Sequence, residues 1–199
     1  MENKKRKSVY IDRILFPVTS LGPGKRLVIW VSGCLRRCEG CANPELWERH
    51  PFQQIDTEDF LNMLHAQIDL MDVDGITVSG GEPFDQAEEL CELLGRIKQD
   101  RDLLVFSGYR IEDIQKDPVM KKLLNLTDVL IDGEYIDSKN DGISALRGSV
   151  NQRIHILDQG LTGKYDEYLK LGRQIQNFTY DYQTISVGIH NRDRGSEGL

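Results

Sequence analysis

Short apolar runs alternate along the chain with longer segments of helical periodicity. Four runs are mostly apolar or β-branched, as is typical of strands covered on both faces. These runs are residues 26–31, 76–78, 103–106 and 128–131. Three longer segments repeat apolar positions every three or four residues, and the last of them is broken at Asp117-Pro118. The predicted helices are residues 57–71, 84–98 and 111–125.

The last three of these strands begin about 25 residues apart with helices between them, which indicates βαβ units in a mostly parallel sheet. We therefore predict an α/β fold. Right-handed crossovers bring the carboxyl ends of parallel strands to one edge of the sheet. The informative motifs follow such ends: a cysteine cluster, Gly80-Gly81, residues 107–109 and Asp132-Gly133. That edge is the expected position of a functional site.

The two ends of the chain do not follow this alternation of strands and helices. Residues 1–8 are polar and basic, so we predict a mobile leader there. Residues 154–157 resemble one more strand, which ends a core at residues 9–157. Residues 158–199 are then a C-terminal extension on the same domain, with a short helix and, at residues 173–189, a hairpin.

Charge and hydropathy narrow the class of protein. The 199 residues include 25 Lys and Arg against 32 Asp and Glu, a net charge of −7, which disfavours a general binder of nucleic acid or anionic membranes. The longest apolar run, residues 27–31, is too short for a membrane helix, and the basic N-terminus lacks the apolar segment of a secretory signal. We expect a cytoplasmic protein with no nucleic-acid or membrane partner.

Three of the four cysteines lie within eight positions, as Cys34, Cys38 and Cys41. In a reducing compartment this C-x3-C-x2-C array indicates a metal centre rather than disulfides. A [4Fe–4S] cluster normally takes four cysteines, so three leave one iron open to another ligand. Zinc is the alternative, with His50 as its fourth ligand, but nine residues from Cys41 is outside the usual spacing. Cys91 lies on the apolar face of a predicted helix and is interpreted as a small buried side chain.

Gly80-Gly81-Glu82 follows the second strand. Two glycines allow the backbone to approach a ligand closely, and the carboxylate can accept hydrogen bonds from an ammonium group. Taken alone, the segment is equally typical of a tight turn between a strand and a helix. Its value as evidence therefore depends on the cysteines.

Together, the cysteine array and the Gly-Gly-Glu-Pro segment resemble the radical S-adenosylmethionine enzymes and, within them, the glycyl-radical activases. The resemblance covers residues 14–157. It also includes Ser32-Gly33, Asn43, Trp47, Asp132-Gly133 and Arg147–Gln152. Gly40 stands where many members of the superfamily have an aromatic residue, and the activases of anaerobic reductases tolerate glycine there. Glu134 stands where activases often have a lysine.

The resemblance implies a partial (β/α)6 barrel of mostly parallel strands. It also implies a [4Fe–4S] cluster on Cys34, Cys38 and Cys41 whose open iron binds S-adenosylmethionine. One electron, from a flavodoxin-type or similar donor, then yields methionine and a 5′-deoxyadenosyl radical. In the activases this radical takes hydrogen from a glycine of the partner, which would be an anaerobic ribonucleotide reductase or another glycyl-radical protein.

The resemblance further implies roles for single residues. Gly80, Gly81 and Glu82 match the segment that holds the methionine ammonium group. The other expected contacts with the cofactor or the partner are Asn43, Tyr109, Asp132, Arg147 and Asn151. No catalytic side chain is needed beyond the cluster and the cofactor.

Two other readings of the same residues stay open. The same radical chemistry could act on a different glycyl-radical enzyme, a peptide or a small molecule. Alternatively, the chain could be a non-enzymatic module in which zinc or an iron–sulfur cluster serves structure or electron transfer. Metal content and cleavage of S-adenosylmethionine would distinguish these classes.

Overall fold

The computed structural model describes residues 7–68 and 70–189, and in them strands and helices alternate through the middle of the chain. The strands are β1 (Ser8–Val18), β2 (Arg26–Val31), β3 (Gln54–Asp56), β4 (Gly75–Gly80), β5 (Asp102–Phe106), β6 (Val129–Asp132), β7 (Arg153–Ile156), β8 (Ile175–Tyr180) and β9 (Gln183–Gly188). The helices are α1 (Thr57–Ile68), α2 (Ala87–Ile97), α3 (Ile111–Ile114), α4 (Pro118–Leu126) and α5 (Thr162–Leu169). None of the helices in these ranges is long and apolar enough to span a membrane.

Seven strands form one mixed sheet in the order β3-β1-β2-β4-β5-β6-β7, and β8 and β9 form a separate hairpin. The predicted α/β fold is confirmed, and the sheet is mixed: β1 and β7 run opposite to the other five strands. Neighbouring strands pair in parallel only among β2, β4, β5 and β6, so three of the six pairings are antiparallel. The reason is that β1 reaches β2, and β6 reaches β7, through connections that contain no α-helix. A chain that turns back without a crossover pairs antiparallel.

The parallel strands are apolar throughout because both of their faces are covered. Successive side chains of a strand point to opposite faces. In β2, Leu27, Ile29 and Val31 pack with residues of α1, α2 and α4, whereas Val28 and Trp30 pack on the other face in a cluster that includes Val187 of β9. The C-terminal segment therefore covers a sheet face that would otherwise expose apolar side chains.

The local predictions mostly match the elements. The predicted break at Asp117-Pro118 separates α3 from α4, and the Asp117 carboxylate accepts from the Val119 and Met120 amides to cap α4. β1 was not predicted, because register irregularities between Ile11 and Arg13 and between Leu15 and Val18 disrupt its alternation. Residues 1–6 of the predicted leader lie outside the described residues, and its last residue, Ser8, begins β1.

A buried polar network lies at the amino ends of the parallel strands, opposite the cysteines. Arg26 of β2 is fully buried, and its guanidinium donates to the Asp102 carboxylate of β5 at 2.9 Å. The same carboxylate accepts from Lys164 and from the Tyr165 hydroxyl of α5, both at 2.6 Å. The network joins α5 to the sheet and leaves the Arg26–Asp102 pair fully hydrogen-bonded.

Candidate functional site

A cavity of about 550 Å³ opens at the carboxyl ends of β2, β4 and β5, where the motifs were expected. Seven of the eleven predicted site residues line it. They are Cys34, Cys38, Cys41, Asn43, Gly80, Gly81 and Glu82. The other four, which are Tyr109, Asp132, Arg147 and Asn151, are not among the described residues that line it.

The cysteine loop is anchored by the short 3-10 turn that follows it. The Gly33 amide donates to the Leu46 carbonyl at 2.8 Å and the Cys34 amide to the Trp47 carbonyl at 2.9 Å. Gly40 has a φ of +73°, which a residue with a Cβ adopts only with strain. This turn explains why glycine, rather than an aromatic residue, precedes Cys41.

Burial raises the pKa of both the Cys34 and Cys38 thiols. At Cys34 the amides of Arg36 and Arg37 oppose this effect, whereas Glu82 and Asp85 add to it. At Cys38 the Glu134 carboxylate and the other two cysteines add to it. Cations that replace the protons of these thiols would bind to them as thiolates.

The donor set fits a cluster better than a single ion. No three His, Cys, Asp or Glu side chains in residues 7–68 and 70–189 are arranged to hold one metal ion. In a [4Fe–4S] cluster each thiolate binds a different iron, so the sulfurs need not converge on one point. Trp47 Nε1, from a residue lining the cavity, is buried without a hydrogen-bond partner among the described residues. This indole N–H is a donor available to an acceptor-rich group.

Glu82 follows β4 with its carboxylate buried, at 1% exposure. One oxygen, Oε1, accepts from the Ser107 hydroxyl at 2.8 Å and the Phe84 amide at 3.1 Å, and the other, Oε2, accepts from the Gly108 amide at 2.8 Å. Burial raises the pKa of Glu82 to about 7, although these three donors lower it. The carboxylate is thus held in one orientation before any ligand binds.

Gly80 and Gly81 are glycines because β2 and the residues that follow it are close. A Cβ on Gly80 would lie 2.3 Å from the Val31 carbonyl oxygen, and one on Gly81 would lie 2.3 Å from that of Gly33. Gly81 also donates its amide to Val31 at 2.7 Å, and Glu82 donates its amide to Gly33 at 2.8 Å. The glycines therefore hold the Glu82 segment against the segment that leads into Cys34, a reason that the sequence did not reveal.

Tyr109 follows Gly108, a residue lining the cavity, but is not itself among the described lining residues. Its hydroxyl donates to Asp85 Oδ1 at 2.9 Å, and burial together with Asp85 raises its pKa to about 12. The Arg36 guanidinium stacks over the Tyr109 ring at 4.1 Å, with Nε 3.7 Å from Glu82 Oε2. Tyr109 thus supports Arg36, which forms an ion pair with Glu82.

The remaining predicted residues hold segments that border the cavity. Asp132 is fully buried and accepts from the Ile111 amide at 2.7 Å and from Arg153 Nε at 2.9 Å. Burial opposes ionisation of Asp132, but these donors together with His155 lower its pKa. Arg147 and Asn151 bond within residues 133–152, to the Gln152 and Glu134 carbonyls respectively.

Several lining residues had no local sequence signal. The cavity wall includes Trp30, Phe106, Tyr135 and the run of residues 184–189. Residues 184–189 are more than 140 positions from the cysteines, so no motif spacing could connect them with the site.

A family model described as a 4Fe-4S single cluster domain matches residues 20–155, a range that includes the three cysteines and Glu82. The match defines the class of protein as one built around a single iron–sulfur cluster.

The relatives narrow this class. The chain is similar to anaerobic ribonucleoside-triphosphate reductase-activating proteins of several organisms. It is 35% identical to that of Enterobacteria phage T4, over 67% of this chain and 85% of that protein. It is 34% identical to that of Haemophilus influenzae (67% and 89%) and 30% identical to that of Escherichia coli K12 (68% and 91%). The chain belongs to this family of activating proteins. The crystal structure of QueE from Escherichia coli is a weaker match, with a TM-score of 0.41 and 18% identity over 51% of this chain and 52% of that one, too low to support an argument.

Proposed function

We propose that the chain is a radical S-adenosylmethionine enzyme that generates a glycyl radical on an anaerobic ribonucleotide reductase. The observation that supports this most is the convergence of Cys34, Cys38, Cys41 and Glu82 on one cavity. When bound, a [4Fe–4S] cluster would supply the electron that cleaves S-adenosylmethionine to methionine and a 5′-deoxyadenosyl radical. The names of the relatives support the choice of partner.

In this proposal the three cysteines hold the cluster and Glu82 holds the ammonium group of S-adenosylmethionine. A carboxylate oxygen can accept two hydrogen bonds. Glu82 Oε1 already accepts two and Oε2 accepts one, from the Gly108 amide. Oε2 therefore has one acceptor position left for an ammonium N–H. Asn43 is a second contact with S-adenosylmethionine in this proposal. It lines the cavity, and its main-chain amide donates to the Cys41 sulfur at 3.4 Å.

The other predicted contacts act through the loops that they hold. Tyr109 supports Arg36, and Asp132 ties β6 to β7 through Arg153. Arg147 and Asn151 keep residues 133–152 folded beside the cavity. These residues position the site without touching the reacting atoms.

The walls of the cavity exclude water from a reactive radical. Trp30, Phe106 and Val187 contribute apolar surface to these walls. A closed, water-poor site prevents side reactions of a carbon radical. We expect the four parallel strands to form one wall of a partial (β/α)6 barrel whose open flank admits the partner.

Two further components belong to the proposal. The electron comes from a flavodoxin-type or similar donor. The protein works in the cytoplasm, where thioredoxin and glutathione keep cysteine thiols reduced.

The test is formation of 5′-deoxyadenosine by the anaerobically reconstituted chain with dithionite and S-adenosylmethionine. We expect about four irons and four sulfides per chain and 5′-deoxyadenosine from the wild type. Cys38→Ala should abolish the product. Cys91→Ala is the matched control, because Cys91 lies in α2 and is not among the residues lining the cavity.

A stoichiometric zinc ion with no iron, or equal product from Cys38→Ala, would refute the radical assignment. If the wild type makes 5′-deoxyadenosine, addition of an anaerobic ribonucleotide reductase should give a glycyl-radical signal in electron paramagnetic resonance. Cleavage of S-adenosylmethionine without that signal would favour another target of the same chemistry.

A further inference from the structure

The sulfur of Cys38 has a neighbour that the sulfurs of the other two cysteines lack. Main-chain amides approach all three sulfurs, and they belong to Arg36 and Arg37 at Cys34, to Tyr135 at Cys38 and to Asn43 at Cys41. Within the described residues, Cys38 alone also has a carboxylate at hydrogen-bond distance, because Glu134 Oε1 lies 3.8 Å from its Sγ. One segment, residues 134–135, therefore brings both a carboxylate and an amide to the same sulfur.

The segment that carries Glu134 is fixed by hydrogen bonds of its main chain. The Gly133 amide donates to the Tyr109 carbonyl at 3.0 Å, and Gln152 Nε2 donates to the Gly133 carbonyl at 3.0 Å. Asn151 Nδ2 donates to the carbonyl of Glu134 itself at 2.8 Å. Glu134 is therefore held beside Cys38 by its main chain and does not depend on the contact of its own carboxylate.

Binding of iron changes what the Glu134 carboxylate faces. In the metal-free chain the Cys38 thiol donates to Glu134 Oε1. A cysteine that binds iron is a thiolate, so it has no proton left to donate. No cation among the described residues forms an ion pair with Glu134 that would offset its charge. The carboxylate then places an uncompensated negative charge beside a ligand of the cluster.

A charge in this position acts on the reduction of a cluster. Reduction adds one electron, so a neighbouring carboxylate disfavours the reduced state, whereas N–H donors to the sulfurs favour it. Groups beside the ligands of a metal centre tune it in this way without binding the metal. Glu134 and the amides at the three sulfurs consequently act in opposite directions.

We propose that Glu134 lowers the reduction potential of the cluster by holding its negative charge beside Cys38. It acts through the cysteine and touches no reacting atom, so it is a positioning residue. A lower potential makes the electron that the cluster passes to S-adenosylmethionine more strongly reducing, and this purpose rests on the proposed function. If Glu134 only kept residues 133–135 in place, the potential would not follow the charge of its side chain.

The experiment compares Glu134→Gln with Glu39→Gln in the cluster-loaded chain. Both glutamates are exposed, and each replacement removes one negative charge at nearly constant volume. Glu39 follows Cys38 in the cysteine loop, but in the part of the chain that the structure describes its carboxylate is not at hydrogen-bond distance from a cysteine sulfur. Glu39→Gln is therefore a matched control for net charge.

The readout is the midpoint reduction potential of the cluster, followed by electron paramagnetic resonance without S-adenosylmethionine. We expect Glu134→Gln to have a higher potential than the wild type and Glu134→Lys a still higher one. Glu134→Asp, which keeps the charge, should stay close to the wild type, and Glu39→Gln should shift the potential clearly less than Glu134→Gln. Iron and sulfide content and thermal unfolding should be the same in all variants.

The proposal is overturned if Glu134→Gln and Glu134→Lys keep the wild-type potential, or if Glu39→Gln raises it as much as Glu134→Gln. It is also overturned if Glu134→Asp shifts the potential as far as Glu134→Gln, because the charge would then not matter. If the potentials follow the charge but the wild type makes no 5′-deoxyadenosine, the radical chemistry fails and the role of Glu134 stands. A chain that binds no cluster refutes both.

Discussion

Glu82 and Arg36 show how single residues of the site depend on neighbours that are distant in sequence. The carboxylate of Glu82 has donors from Phe84, Ser107 and Gly108, and the nearest cation is Arg36 at 3.7 Å. Burial is the larger influence and raises the pKa of Glu82 to about 7. The charge state of this residue therefore changes close to neutral pH.

This raised pKa predicts how stability depends on pH. Between the ordinary pKa of 4.5 and about 7, the carboxyl is ionised in the unfolded chain and protonated in the folded protein. The folded state then binds more protons, so the free energy of unfolding falls as pH rises, by on the order of 3 kcal/mol. Glu82→Gln cannot titrate and should lack this component. Urea unfolding of the reduced, metal-free proteins across this pH range measures the difference.

If the free energies of unfolding of the wild type and Glu82→Gln differ by the same amount from pH 4.5 to pH 7, this prediction is wrong. Asp102 and Asp132 do not interfere, because their pKa values are lowered and they titrate at more acidic pH.

At the scale of elements, α5 is attached to the sheet by charge as well as by apolar packing. Tyr165 packs against Leu104 and Val129, and its hydroxyl reaches the Asp102 carboxylate that also neutralises Arg26. Removing one partner of a buried ion pair leaves the other charge uncompensated. Helix attachment and the burial of Arg26 therefore depend on the same carboxylate.

Asp102→Asn should accordingly lower the free energy of unfolding by about 3 to 5 kcal/mol. Asp113→Asn is the control, because Asp113 forms an exposed pair with Lys116 and its loss should leave stability nearly unchanged. Chemical denaturation of both variants provides the measurement. Equal, small effects would show that α5 and Arg26 do not need the Asp102 charge.

At the scale of the whole molecule, stability is unevenly distributed. β2, β4 and β5 are central in the sheet and largely buried, whereas β8 and β9 form a two-stranded unit with mostly exposed residues. Regions with few buried contacts open at a lower free energy than the core. The hairpin is therefore the part next to the cavity that can rearrange without unfolding the sheet.

Amide hydrogen exchange should show this difference. We expect the slowest exchange in β2, β4 and β5 and much faster exchange in β8 and β9 of the isolated chain. If the hairpin amides of the isolated chain exchange as slowly as those of β4, the hairpin belongs to the cooperative core and this prediction is wrong.

The sequence by itself determined what depends on neighbours along the chain. Eight residues bring Cys34, Cys38 and Cys41 together, and periodicity over about ten residues indicates each central strand and helix. The position of Gly80-Gly81-Glu82 after a strand was enough to predict that it shares an edge of the sheet with the cysteines.

Only the tertiary structure decided the features that need distant contacts. The direction of β1 and β7 depends on which strand each one meets, and the orientation of Asp132 depends on Arg153. The hairpin reaches the cavity through contacts such as Ser20 with Val187, 167 positions apart. Local periodicity predicts which side chains are buried, but it does not predict which distant residues pack against them.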